Sequence, residues 1–264
     1  MLAQSGSIEI GEHSLEYRQF GPDPADAPTL VLLHEGLGSA ELWGGFPAEL
    51  ASATGAGVFA YSRAGYGASS PVPLPRPFGY MHDEAISVLP RLLDAIGFRR
   101  GLLIGSSDGA SIATIFAGQV GDPRVIGICL MAPHFFVEDE TVAGAAAARA
   151  AYQTGDLRAR LARWHSHVDV AFHGWNDAWL DPGFRTWNIT DALPLIQVPM
   201  LIIQGERDDY GTVRQIAAAE DGCFCPVTSV LLPGVGHQPW REATAATLAV
   251  ITAFAGPLLA GPGG

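Results

Sequence analysis

Short apolar runs recur along the chain, and each ends at a turn signal. Runs of this length that are apolar on both faces are typical of strands buried in a parallel sheet. They lie at residues 29–34, 57–61, 101–105, 125–130, 200–204 and 227–232. Residues 7–10 and 15–20 differ from these runs, because a turn beginning at Gly11 separates two short segments, and this pattern predicts an antiparallel hairpin.

Helical periodicity lies between the apolar runs, at residues 82–96, 109–119, 213–219 and 241–254. Strands and helices therefore alternate, which predicts an α/β fold with a mostly parallel sheet flanked by helices. One interval, 134–195, shows helical periodicity but no clear strand, and four of the six tryptophans lie in it. We interpret it as a helical cap insertion in a core made of residues 1–133 and 196–264.

Composition excludes several classes of protein. The chain has 264 residues, 48% of them hydrophobic, and its net charge is −12. This charge repels phosphate backbones, so we expect no nucleic-acid partner. All 15 basic residues are arginine, which excludes Schiff-base and pyridoxal phosphate chemistry together with the lysine of a P-loop.

The sequence also favours a location and a type of partner. The apolar runs are shorter than the ~18 residues that span a bilayer, and the first ten residues lack a secretory pattern. We therefore expect a cytoplasmic protein that acts on a small molecule without a membrane partner, and a homo-oligomer stays open. Cys129, Cys223 and Cys225 have neither the spacing of a disulfide framework nor that of a full metal site.

The strongest chemical signal is a glycine-flanked serine. Residues 105–109 read Gly-Ser-Ser-Asp-Gly, directly after a predicted strand and directly before a predicted helix. A sharp turn in this context holds its middle residue in a strained conformation and exposes the side chain at the helix N-terminus. We therefore predict Ser107 as a nucleophile.

A serine hydroxyl needs a base, and the base needs a group that orients it. His237 is the predicted base, because it follows the last predicted strand in a loop that contains Gly234 and Gly236. Asp208 is the predicted orienting acid, just after the preceding strand, and Asp209 and Glu206 compete with it.

The developing oxyanion needs backbone donors. The loop after the strand at 29–33 contains Gly36, whose N–H is one predicted donor, with the N–H of Glu35 as the competing choice. The N–H of Asp108, at the start of its helix, is the second predicted donor of this oxyanion hole.

Taken together, these motifs make the chain resemble the α/β-hydrolase superfamily along nearly its whole length. The matching stretches are residues 34–39, 61–69, 105–109, 205–208 and 236–237. The chain looks most similar to small capped members such as the carboxylesterase, meta-cleavage-product hydrolase and non-haem haloperoxidase groups. The resemblance implies an α/β-hydrolase fold and a serine hydrolase with no metal and no organic cofactor.

Two acidic residues depart from the pattern of that superfamily. Glu35 stands where a glycine is common, and it either points away into a hydrogen-bond network, contacts substrate or assists a proton transfer. Asp108 stands where many relatives carry an apolar residue, and its side chain either pairs with an arginine or caps its own helix.

The cap is more aromatic than the rest of the chain, so we expect some of its rings to line a pocket. The predicted pocket residues are Glu35, His134, Phe135, Trp164, Trp175 and Trp187. This set favours an apolar or aromatic acyl group. Arg63 and Arg185 are candidates for binding a substrate carboxylate, with solvated surface positions as the simpler interpretation.

Residues 165–170 approach a two-metal hydrolase motif of the form H-x-H-x-D-H. The last histidine of that motif is absent and the segment continues a helical pattern, so we expect no metal there.

The sequence predicts a serine hydrolase that cleaves a small carboxylic ester through Ser107, His237 and Asp208. Cleavage of a thioester or of a C–C bond is the alternative reaction, because both use the same geometry. A ligand-binding module that keeps the fold without turnover is the alternative from another class.

Overall fold

The computed structural model describes residues 4–261. Eight strands among these residues form one sheet in the order β1-β2-β4-β3-β5-β6-β7-β8. The strands are β1 Gln4–Ile10, β2 His13–Phe20, β3 Thr29–Leu33, β4 Gly57–Tyr61, β5 Gly101–Ser106, β6 Val125–Met131, β7 Met200–Gly205 and β8 Val227–Leu232. β2 pairs antiparallel with β1 and β4, and every other pairing is parallel. The mostly parallel α/β sheet predicted from the sequence is confirmed.

The helices flank this sheet. Their bounds are α1 Phe46–Thr54, α2 Tyr80–Asp83, α3 Leu89–Ala95, α4 Asp108–Ile115, α5 Asp139–Thr154, α6 Leu157–Leu161, α7 Val168–Leu180, α8 Val213–Gly222, α9 Pro239–Glu242 and α10 Thr244–Ala260. A π-helical turn at Glu84–Val88 joins α2 to α3, and another at Phe116–Val120 extends α4. Both predicted helices in these regions are therefore present but wider than a regular α-helix over one turn.

The prediction of one helix over 241–254 is wrong, because two helices occupy this region. The chain leaves helical geometry at Ala243, where φ is −137° and ψ is 51°. α9 begins only two residues after His237, and its last residue, Glu242, accepts hydrogen bonds from Gly236 and Gln238. The short helix therefore folds back on the loop before it, and α10 starts in a new direction.

Each face of the sheet carries its own apolar core, as the alternation of side chains along a strand requires. Val31 and Leu33 of β3 belong to one cluster, together with residues from α3 and α4. Leu30 and Leu32 belong to the other cluster, which includes residues from α1 and α10. All four side chains are fully buried, so β3 is a central strand and the loop that follows it starts from a rigid base.

Residues 134–195 follow β6 and precede β7. They contain α5, α6 and α7, together with 3₁₀ turns at Pro182–Thr186 and Thr190–Leu195, and the isolated bridge between Phe136 and Asn188. α5 and α7 pack against each other, and α7 brings two tryptophans over the carboxyl ends of the central strands. That this segment is a separate cap domain stays a prediction.

Gly101 of β5 provides a test of how tightly the central strands fit. It pairs with Thr29 of β3, and a Cβ at this position would collide with the carbonyl oxygen of Thr29. We expect Gly101→Ala to lower the free energy of unfolding by roughly 2–4 kcal/mol in urea titrations, because the backbone must shift to relieve the overlap. Gly79→Ala is the matched control, since its Cβ would meet open space. An equal, small effect for both variants would contradict the close approach.

Candidate active site

Ser107 lies at the turn between β5 and α4, in a conformation that L-residues rarely adopt. Its φ is 51° and its ψ is −117°, and its N–H donates to the carbonyl of Met131 at 2.9 Å. A Cβ on Gly105 would collide with the backbone of Gly109, and a Cβ on Gly109 would collide with the carbonyl of Leu33. The glycines therefore allow a turn so tight that the serine side chain projects away from the sheet.

His237 contacts both of the other predicted catalytic residues. Its Nε2 lies 3.0 Å from Ser107 Oγ, and its Nδ1 lies 2.7 Å from Asp208 Oδ1. With Nδ1 protonated, the ring donates to Asp208 and accepts from the serine hydroxyl. The structure thus brings together the three side chains in the order nucleophile, base and acid.

Asp208 is held as an anion by its surroundings. Its Oδ1 also accepts the N–H groups of Tyr210 at 2.9 Å and Gly211 at 3.2 Å. Burial raises the pKa of Asp208, but the hydrogen bond from His237 and that of the Tyr210 N–H outweigh this effect and lower the pKa overall. Neither competing acid contacts His237 Nδ1, since Asp209 is exposed and Glu206 accepts the N–H of Gly234.

The loop after β3 is oriented by a buried arginine. The guanidinium of Arg63, 1% exposed, donates to the carbonyl oxygens of His34 and Glu35. In a trans peptide, the N–H of Gly36 points opposite to the Glu35 carbonyl, so Arg63 fixes the direction of that N–H. Gly36 lines a cavity beside Ser107, and a Cβ there would overlap the Trp175 indole. The role of Gly36 and Asp108 as oxyanion donors stays a prediction.

The side chain of Asp108 does not cap its own helix but joins a buried polar network. Tyr80 Oη donates to Asp108 Oδ2 at 2.6 Å and Trp179 Nε1 donates to Oδ1 at 3.3 Å. Arg63 lies 4.0 Å from Oδ2. Burial raises the pKa of Asp108, against the opposing effects of Arg63 and the two hydrogen bonds. Trp179 belongs to α7, so this network joins the helical insertion to the turn that carries Ser107.

A cavity of about 490 Å³ opens over Ser107 and His237. Of the six predicted pocket residues, Glu35, His134 and Trp175 line it. The other three require correction. Phe135 is fully buried in the core, and Trp187 stacks on Phe184. Trp164, 43% exposed, lines a neighbouring groove instead.

Several cavity residues were missed by the sequence analysis, among them Trp179, Tyr210, Arg207 and Glu242. Trp179 lies four residues after Trp175 on α7, and this spacing places both rings on one helix face. That signal was available from the sequence. Glu242 had no comparable signal, because it reaches the site only through the turn between α9 and α10.

His165 and Asp169 of the H-x-H-x-D segment, which the sequence analysis compared with a metal motif, bind other groups of the protein. His165 is buried, accepts the N–H of Gly67 at its Nδ1 and contacts the carbonyl of Leu37 with its Nε2. Asp169 pairs with Arg158. Within residues 4–261, no cluster of three or more His, Cys, Asp or Glu side chains is placed to hold a metal ion.

The same residues contain no helix that is both long and apolar enough to cross a bilayer.

His134 couples the site to acid stability. Its Nδ1 is buried without a hydrogen-bond partner among the described residues, and burial, with a smaller contribution from His237, lowers its pKa to about 3. The unfolded chain takes up this proton below about pH 6.5 while the folded chain does not, so stability falls as the pH drops through this range.

The unfolding free energy of the parent should therefore fall between pH 7 and pH 5. We expect that of His134→Gln to fall over the same range by roughly 1–2 kcal/mol less. Urea titrations at both pH values measure this difference. His167→Gln, at an exposed position, should follow the parent. An unchanged pH slope in His134→Gln would contradict a neutral, buried His134.

Comparison with solved structures finds the same architecture. Proline iminopeptidase from Mycobacterium smegmatis is 21% identical with a TM-score of 0.75, over 95% of this chain and 97% of that one. A carboxylesterase from Bacillus subtilis is 21% identical with a TM-score of 0.70, over 96% and 92%. The enol-lactonase from Burkholderia xenovorans LB400 is 20% identical with a TM-score of 0.71, over 94% and 99%. At these identities the likeness shows the fold.

No curated protein sequence matches the chain significantly. The family model described as "Alpha/beta hydrolase family" matches residues 30–250, which is most of the chain and includes Ser107, Asp208 and His237. The predicted superfamily and fold are confirmed, and the chain belongs to the alpha/beta hydrolase family.

Proposed function

We propose that this hydrolase is a serine esterase that cleaves a small carboxylic ester. The observation that carries the proposal is the continuous hydrogen-bonded row from Ser107 Oγ to His237 Nε2 at 3.0 Å and from His237 Nδ1 to Asp208 at 2.7 Å. A row of this kind activates a serine hydroxyl.

The reaction follows from the positions of these atoms. Ser107 Oγ attacks the ester carbonyl carbon while His237 Nε2 takes the hydroxyl proton, and Asp208 stabilises the imidazolium. The tetrahedral oxyanion accepts hydrogen bonds from the N–H groups of Gly36 and Asp108. Collapse of this intermediate breaks the C–O bond, and His237 returns the proton to the leaving alcohol. A water molecule then repeats the sequence on the acyl-enzyme and releases the acid.

The cavity supports an ester of modest size. Its volume of about 490 Å³ lies within the range of small-molecule sites. Trp175, Trp179 and Tyr210 give it aromatic walls, which favour an apolar or aromatic group near the scissile bond.

The arginines that were candidates for a substrate carboxylate do not support C–C cleavage of an acidic substrate. Arg63 is committed to the carbonyls of His34 and Glu35. Arg185 pairs with Asp139 and lies away from the cavity. A non-catalytic binding module is disfavoured because it has no need for three side chains in a hydrogen-bonded row.

Labelling with a fluorophosphonate tests the nucleophile. We expect one adduct by intact mass on the parent chain and none on Ser107→Ala, because only an activated serine displaces the fluoride. Ser106→Ala is the matched control, since Ser106 is buried beside the turn and should leave labelling intact. An adduct that persists in Ser107→Ala would show that another residue is the nucleophile. Turnover is followed separately with p-nitrophenyl acetate and with thioesters.

Glu242 accepts hydrogen bonds from the two residues that flank His237. Its Oε2 accepts the N–H of Gly236 at 2.7 Å and its Oε1 accepts the N–H of Gln238 at 3.0 Å. We expect Glu242→Ala to lower kcat for p-nitrophenyl acetate by about 10–100-fold with KM changed less than about threefold, because His237 loses its alignment with Ser107.

Glu206→Gln is the control for Glu242, because Glu206 also accepts a backbone N–H of this loop but at Gly234, three residues before His237. Its kcat should stay within about twofold of the parent. A rise in KM at constant kcat in Glu242→Ala would show that Glu242 binds substrate rather than positions His237, and melting curves confirm that both variants fold.

A further inference from the structure

The wall of the cavity is unusually acidic for a site that must stabilise an oxyanion. Four carboxyl groups line it, from Glu35, Asp108, Asp209 and Glu242, and Arg207 is the one arginine on this wall among the described residues. Arg207, Asp209 and Glu242 are exposed, so solvent screens their charges, and Glu35 and Asp108 are the two carboxyl groups of this wall that are shielded from water.

Glu35 differs from Asp108 and Glu242 because its carboxyl accepts no hydrogen bond from another residue among those described. Asp108 accepts hydrogen bonds from Tyr80 and Trp179, and Glu242 accepts two backbone N–H groups. The Glu35 carboxyl forms no ion pair and no hydrogen bond with another side chain within residues 4–261, although it is half-buried. Glu35 lines both this cavity and the neighbouring groove, and its Oε2 lies against the backbone of Gly38.

Desolvation without a partner makes the charged form of this carboxyl costly. Burial raises the pKa of Glu35, against smaller opposing effects of its own backbone N–H, Arg63, His237 and Arg241. A cation that enters the cavity would favour the ionised form of Glu35.

Aromatic rings complete the surroundings of such a cation. Trp175 packs on the backbone of Gly36, the residue after Glu35. The Trp175 and Tyr210 ring centroids lie 6.4 Å apart, and Tyr210 lies 4.7 Å from His237. The faces of tryptophan and tyrosine attract cations, and quaternary ammonium groups are bound by sites of this composition.

We propose that the substrate carries a positively charged amine, which binds between the Glu35 carboxylate and the aromatic walls formed by Trp175, Trp179 and Tyr210. This inference rests on the proposed function, in which Ser107 attacks an ester in the same cavity. Glu35 directly precedes Gly36, so the charged group lies close to the scissile carbonyl. The net charge of −12 adds a long-range attraction for cations and repels acidic esters.

Two small probes of matched shape test the charge preference. Choline carries a quaternary nitrogen where 3,3-dimethylbutan-1-ol carries a neutral carbon, and both are used as competitive inhibitors of p-nitrophenyl acetate hydrolysis. We expect choline to bind about tenfold more tightly than the neutral alcohol to the parent enzyme, and the ratio to fall to about twofold or less in Glu35→Gln.

Glu49→Gln is the matched control, because Glu49 is an exposed carboxylate that lines the neighbouring groove but not the cavity over Ser107. It removes one negative charge and should keep both the parent ratio and the parent kcat. Glutamine at position 35 preserves the size of the side chain, so a lost ratio reports its charge and not a change in packing.

Two results would overturn the inference. A parent enzyme that binds both probes equally, or neither, has no preference for a cation. A preference that survives in Glu35→Gln places the cation site elsewhere. If p-nitrophenyl acetate is not hydrolysed at all, the proposed function fails, and calorimetric titration of choline and the alcohol into the same three proteins still decides whether Glu35 binds a cation.

Discussion

The architecture depends on one constraint, the close approach of backbone at the turn that carries Ser107. The left-handed φ of 51° at Ser107 costs free energy, and it persists because β5 is paired with β3 and β6 on both sides. Leu33 and Gly109 approach so closely that a single methyl group would not fit between them. The same approach brings the start of α4 beside the loop after β3, so the predicted oxyanion donors and the predicted nucleophile are positioned by one packing arrangement.

A second layer of organisation is electrostatic. Arg63 and Asp108 are both buried and 4.0 Å apart, and each would be costly alone in a medium of low polarity. Tyr80 and Trp179 each donate a hydrogen bond to a carboxylate oxygen of Asp108. Because Trp179 comes from α7, the hydrogen bonds of Asp108 are complete only when α7 lies in place. The packing of α7 and the integrity of the site are therefore coupled.

The sequence was sufficient to predict features that a few neighbouring residues determine. It was insufficient for side-chain positions that depend on tertiary packing. The turn at Ser107, the loop of His237 and the buried strands β3 to β7 could be predicted because glycine spacing and apolar runs encode them within a few residues. The run at 227–232 was also predicted as a buried strand, but β8 lies at the edge of the sheet and is mostly exposed or half-buried. The positions of Phe135, Trp164 and Trp187 could not be predicted. Residues 134–195 consist of short helices and 3₁₀ turns, so no single helical period determines which way each ring points. Glu242 was missed for a related reason: the break at Ala243 arises from hydrogen bonds to a loop that no periodicity reveals.

The acidic wall and the proposed oxyanion chemistry are compatible because the carboxyl groups differ in the hydrogen bonds that they accept. Hydrogen bonds and Arg63 compensate the charge of Asp108, and the backbone N–H groups around His237 compensate that of Glu242. These two charges therefore oppose the developing oxyanion less than their distance suggests. Glu35 accepts no hydrogen bond from another residue among those described, and burial raises its pKa against smaller opposing effects of its own N–H, Arg63, His237 and Arg241. A bound cation would offset the charge of Glu35, and the field at the proposed oxyanion would then be set mainly by the backbone N–H groups.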